Sequence, residues 1–131
     1  MNRKSELMES RTALDTERAA IAGCNVVLNR LAEVVREEND HLVYRKGGDH
    51  RYFTDRKTQL LRELMLADRG CRNATAAQAL AEPIKQAKEL LARNQTLLSV
   101  HIKAVREVSS IIVDALRRAD SDGTYTRSGR A

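Results

Sequence analysis

The chain has 131 residues, of which 31% are charged, 3% aromatic and one a proline; this is the size of one domain and a composition that favours long helices over sheet. Its net charge of +5 is spread without a run of five like charges, which argues against the concentrated basic stripe of a nucleic-acid-binding surface. No apolar stretch approaches the length of a membrane span, and the opening MNRKSELMES has no apolar core of a signal peptide.

The first element is marked by a repeat. Leu7, Leu14, Ile21, Leu28, Val35 and Leu42 recur every seven residues, and Cys24, Val27, Leu31 and Val34 widen the stripe. Such a repeat keeps one seam facing a partner helix. It predicts a single helix from about Ser5 to Arg45, roughly 60 Å long at 1.5 Å per residue. In the segment RKGGDH, Gly47 and Gly48 are suited to the left-handed turn after a helix, and Asp49 to the N-cap of the next.

The second helix is expected from about Asp49 to Asp68, with Phe53, Leu60, Leu64 and Ala67 as its stripe and Leu61, Met65 and Leu66 flanking it. Gly70 stops it. Arg51, Arg56, Lys57, Arg62 and Arg69 read as its solvated polar face.

The third element opens with Thr75 and Gln78 at the spacing of a capping box. Pro83 then either kinks this helix or starts a fresh one in its first turn. A second heptad series follows: Ile84, Leu91, Leu98, Val105 and Ile112, with Ala87, Val108 and Ala115 three residues on. This helix is expected to reach about Ala119. The polar ending SDGTYTRSGRA cannot bury enough apolar surface to offset the entropy of ordering it. The expected architecture is therefore all-α: an antiparallel long-helix bundle or coiled-coil hairpin of three main helices, with room for a short fourth before Pro83. Residues 1–119 would form the bundle and residues 120–131 a disordered, flexible docking tail.

Nothing in the chain reads as an enzyme. His41, His50 and His101 fall on different elements, and Glu37, Glu38 and Asp40 read as solvated carboxylates at a helix end. No nucleophile elbow, phosphate-binding loop or dinucleotide fingerprint is present. Cys24 and Cys71 read as two reduced thiols in or near helix seams. Neither a C-x-x-C nor an H-x-x-x-H spacing occurs, so no metal and no cofactor is expected.

Three features invite a binding role. Asn94 lies three residues after Leu91, on the stripe; it either sits buried and fixes register, or lies at the bundle edge and reaches water. In VREVSSIIVDALRRAD, Val105, Val108, Ile112, Ala115 and Leu116 share one face while Ile111 and Val113 point to either side of it. A helix apolar over so much of its circumference lies between two neighbours or offers a groove to an apolar helix of another protein. Tyr125 is an isolated ring in the polar tail: a frayed end, or an anchor that inserts into a partner's pocket, with Arg127 and Arg130 steering.

Three blocks resemble the FlgN-type flagellar export chaperones: LAEVVREENDHL followed by DRKTQLLREL, then LLARNQTLLSVHIKAVREV, then DSDGTYTRSGR. The resemblance implies a cytoplasmic, non-enzymatic protein that binds the C-terminal amphipathic helices of hook–filament junction proteins (FlgK/FlgL type). It also implies delivery of that cargo to the cytoplasmic domain of an FlhA-type export gate. Carried over by residue, gate docking falls on Tyr125, and cargo binding on Val105, Val108, Ile111, Ile112, Val113 and Leu116. No nucleic acid and no membrane insertion is expected. The alternative is a structural coiled-coil protein that self-associates and takes no cargo; a homodimer in isolation is compatible with both.

Overall fold

The computed structural model describes residues 2–44 and 50–128, with side chains described as far as Asp122. These residues form four helices: α1 (Arg3–Tyr44), α2 (His50–Asp68), α3 (Ala74–Ala79) and α4 (Ala81–Ser128). There is no strand among the described residues. The all-α bundle expected from the heptads is the fold, and the short fourth helix before Pro83 is α3. Gly47, Gly48 and Asp49, the expected turn and cap between α1 and α2, lie outside the described residues.

The chain divides into two compact units, Met1–Gln95 and Thr96–Ala131, with the division inside α4. In the first unit the seam residues meet as two apolar clusters. One joins Leu31, Val34 and Val35 of α1 to Phe53 and Leu60 of α2, with Leu90 and Leu91 of α4 packed against them. The other joins Cys24 and Leu28 to Leu80 and Ala87, with Leu64, Cys71 and Ile84 alongside. The order of these partners makes α2 antiparallel to α1 and the start of α4 parallel to α1. Each fully buried Leu or Val stabilises such a core by about 1.5–3 kcal/mol relative to its exposed state. Leu31, Val35 and Leu60 are in that position.

Burial is uneven along the heptads. Leu28 and Val35 are buried and Ile21 and Leu42 half-buried, but Leu7 and Leu14 at the start of α1 are exposed. The stripe of α2 follows expectation: Phe53 and Leu60 are buried, Leu64 and Ala67 half-buried, and the flanking Leu61, Met65 and Leu66 exposed.

Local signals set the ends of the helices. After Asp68 the chain turns, with the amide of Gly70 donating to the carbonyl of Ala67 at 3.2 Å and that of Cys71 to the carbonyl of Asp68 at 2.9 Å. A Cβ on Gly70 would lie 3.1 Å from the Cβ of Ala20, so a side chain there would have to push α1 or the turn aside by a few tenths of an ångström. The cap of α3 differs from expectation. Asn73, not Thr75, is the N-cap: its backbone is extended and its side-chain oxygen accepts from the amide of Ala76 at 2.7 Å. Its amide nitrogen donates to Glu17 at 2.6 Å. The cap therefore also ties α3 to α1, which Thr75 in the first turn does not do.

Pro83 starts a fresh helix. It stands in the first turn of α4, where its missing N–H is one of the donors without an intrahelical acceptor. The amide of the next residue, Ile84, donates to the carbonyl of Leu80 at 2.9 Å. At its other end α4 continues to Ser128, past the stop expected near Ala119. Weak helix formers such as Asp120, Ser121 and Asp122 do not end it, because intrinsic propensity is a small penalty against an established ladder of hydrogen bonds.

Candidate functional site

In the first unit, three helices each place a polar side chain on the seam, and the three meet. Glu38 of α1 is 1% exposed and Asn94 of α4 is 3% exposed. The Asn94 amide nitrogen donates to Glu38 Oε1 at 2.7 Å and to Asn39 Oδ1 at 2.9 Å. Lys57 of α2 brings its ammonium 2.6 Å from Glu38 Oε1 and donates to Asn94 Oδ1 at 3.0 Å. Asn39 completes the group by donating to the carbonyl of Leu90 at 3.3 Å. A buried polar network costs least when its donors and acceptors are paired, as these are.

This cluster corrects two surface assignments and resolves one open choice. Glu38 and Lys57 were both expected in solvent; they form an ion pair in which Glu38 is buried and Lys57 half-buried. Asn94 is the buried seam residue, not the bundle-edge one. A signal for the first two was present. Glu38 falls three residues after Val35, and Lys57 lies between Phe53 and Leu60 at helical spacing, so each sits on its own apolar stripe. Nearby, His41 packs its ring on Phe53 with centroids 5.3 Å apart; its Nδ1 is buried without a hydrogen-bond partner.

A second feature of the same unit is a cavity of about 370 Å³. Its wall is mainly aliphatic, with Leu28 and Leu31 of α1, Leu64 of α2, and Leu80 and Ile84 about the α3–α4 junction. Cys24 and Cys71 also line it, as do the charged Asp68 and Lys88. Sequence patterning does not reveal such a cavity, because its lining joins core-facing residues of different helices to flanking ones such as Leu61 and Met65.

The second unit carries the residues expected to bind cargo. Every described side chain from Ile102 to Asp122 is exposed. Val105, Val108, Ile111, Ile112, Val113 and Leu116 are among them, from 43% at Val113 to 65% at Ile111. At about 100° per residue these side chains occupy one broad arc of α4, and Lys103, Arg106, Glu107, Asp114, Arg117 and Arg118 occupy the other. Ile102 extends the apolar arc toward Leu98. The sequence left open whether this face lies between two neighbours, and in the structure it is uncovered. A contiguous apolar surface of this kind marks an interaction site more often than a scattered exposed residue does. The side chain of Tyr125, assigned to gate docking, lies outside the described residues.

No group of three or more His, Cys, Asp or Glu side chains is placed to hold a metal ion among the described residues. No helix among them is long and apolar enough to cross a membrane. No protein-family model, curated protein or solved structure matches the chain.

Proposed function

We propose that the chain is a cytoplasmic flagellar export chaperone of the FlgN type, which receives the C-terminal amphipathic helix of a hook–filament junction protein on the apolar arc of α4. The observation that carries this reading is the exposure of Val105, Val108, Ile111, Ile112, Val113 and Leu116 along one face of a helix. An amphipathic helix laid along that arc removes its apolar surface from water, the main driving force of helix-in-groove recognition. The blocks that resemble the family also supply the buried cluster, with Glu38 and Asn39 from the first, Lys57 from the stretch after it and Asn94 from the next. In this reading Asn94 fixes the register of the bundle, and Tyr125 docks the loaded chaperone on the export gate.

Calorimetric titration of the full chain with C-terminal helix peptides of the junction proteins tests the proposal. One-to-one binding at low-micromolar affinity or tighter, weakened by Ile111→Asp and by Val113→Asp, is expected. Absence of binding from a folded sample overturns it. Self-association is the second reading, favoured by the exposed heptad positions Leu7 and Leu14 of α1 together with Val105 and Ile112 of α4. A peptide-insensitive oligomer in sedimentation would establish it instead.

A further inference from the structure

Cys24 in the middle of α1 and Cys71 in the turn after α2 are 47 residues apart in sequence, yet their sulfur atoms are 3.0 Å apart. Non-bonded heavy atoms settle at roughly 3.5–4.0 Å, and a disulfide closes at about 2.05 Å. The remaining approach is therefore about 1 Å, and Cys71 lies on a turn that can supply it. The two thiols differ in access. Cys24 is 2% exposed, whereas Cys71 is half-buried and can meet a small solute.

We propose that Cys24 and Cys71 form a reversible thiol modification site, closing to an intramolecular disulfide when the chain meets a hydroperoxide. Cys71 reacts first. Its thiolate sulfur attacks one peroxide oxygen, the S–O bond forms, the O–O bond breaks, and the departing hydroxide takes up a proton as water. Cys71 is then a sulfenic acid, oxidised by two electrons while the peroxide is reduced. The sulfur of Cys24 attacks that of Cys71, the S–S bond forms and the S–O bond breaks. The hydroxyl leaves with the Cys24 proton as a second water, so two thiols and one peroxide give one disulfide and two waters.

Burial keeps the Cys24 thiol protonated, with its pKa pushed up to about 11, so it is the poorer nucleophile towards peroxide. In the second step it gives up its proton as it attacks, and the 3.0 Å approach of the two sulfurs favours that attack. Both cysteines line the apolar cavity, so closure ties α1 to the turn leading into α3 at the cavity wall. A dithiol reagent reverses the bond by exchange.

The test uses the full reduced chain, titrated with hydrogen peroxide, quenched with an alkylating reagent and read by intact mass and non-reducing electrophoresis. The expected product takes up no alkyl group, is lighter by two hydrogen atoms, runs as a monomer at every protein concentration and reverts with dithiothreitol. It also melts higher than the reduced chain by about 5 °C or more, because a cross-link across so long a loop restricts the unfolded state. Two thiols still alkylated after treatment overturn the proposal. So does oxygen added to Cys71 without loss of Cys24, or a disulfide formed only between chains.

Discussion

Asn94 and Glu38, on helices that share no local sequence, are joined in the core by a 2.7 Å hydrogen bond from amide to carboxylate. The same carboxylate oxygen meets the Lys57 ammonium at 2.6 Å, and Asn94 Oδ1 accepts from that ammonium at 3.0 Å. Each of the three residues therefore offsets the desolvation of the other two. Sliding one helix by a turn would strand a buried charge, so the cluster penalises every register but one.

Lys57→Met leaves the Glu38 carboxyl buried and without its cation. The expected loss is about 3 kcal/mol of unfolding free energy, read from urea denaturation. Asn94→Ala removes a donor and an acceptor at once and is expected to cost about 2 kcal/mol. Because the two substitutions break one network, the double variant should lose clearly less than the sum. Simple additivity would show that the contacts act independently.

Substitutions on the exposed arc of α4 should separate stability from binding. Ile111→Asp and Val113→Asp remove no packed contact and are expected to move unfolding by no more than about 0.5 kcal/mol. Affinity for the junction-protein helix should fall at least about tenfold, because a carboxylate at either edge of the arc would be desolvated against the apolar partner without a counter-charge. A large loss of stability would mean that the face is covered in solution.

Tyr125→Ala is expected to leave unfolding and cargo binding unchanged while weakening capture by the cytoplasmic gate domain. Surface plasmon resonance on the immobilised gate domain measures this directly. Equal binding by the variant removes Tyr125 from the docking role.

Alkaline titration reports on the buried thiol. The Cys24 pKa in the folded chain is raised to about 11 from an ordinary 9.0 by burial first, and then by Cys71 and Asp68. Between those values the unfolded chain has released this proton and the folded chain still holds it, so rising pH favours unfolding. The reduced protein should lose stability from about pH 9 towards pH 11, and Cys24→Ala should flatten that part of the curve. Thermal melts under reducing conditions across this range decide the matter.

Gly70→Ala should destabilise the chain by up to about 1 kcal/mol, since the new methyl meets the Ala20 Cβ at 3.1 Å and one of the two must shift to relieve the contact. Chemical denaturation measures the loss. An unchanged midpoint would show that the turn moves away from α1 freely.

Much of the fold was legible because hydrophobic period survives even where charges crowd a helix. Leu28, Val35, Phe53, Leu60 and Ala87 were placed on stripes and are in the core. The polar cluster was harder to read. An isolated Glu or Lys is assigned to solvent by its type, and only the simultaneous seam positions of Glu38, Lys57 and Asn94 on three helices identify a buried group. The N-cap of α3 was misplaced because Thr75 and Gln78 have the local spacing of a cap, whereas Asn73 is held by a contact to Glu17 that no local window contains. The cavity and the meeting of Cys24 with Cys71 are likewise matters of tertiary distance. The surplus apolar arc on α4 was visible, since amphipathic width is a property of one helix alone.

That arc also bears on how long a molecule survives in a cell. A helix without tertiary cover opens at little cost in free energy, and proteases cut the open form in proportion to its population. Lys103, Arg106, Arg117 and Arg118 put tryptic bonds along this exposed stretch. Those four side chains lie on the opposite arc, so a partner on the apolar arc would slow cleavage by holding the helix closed and not by covering the bonds themselves.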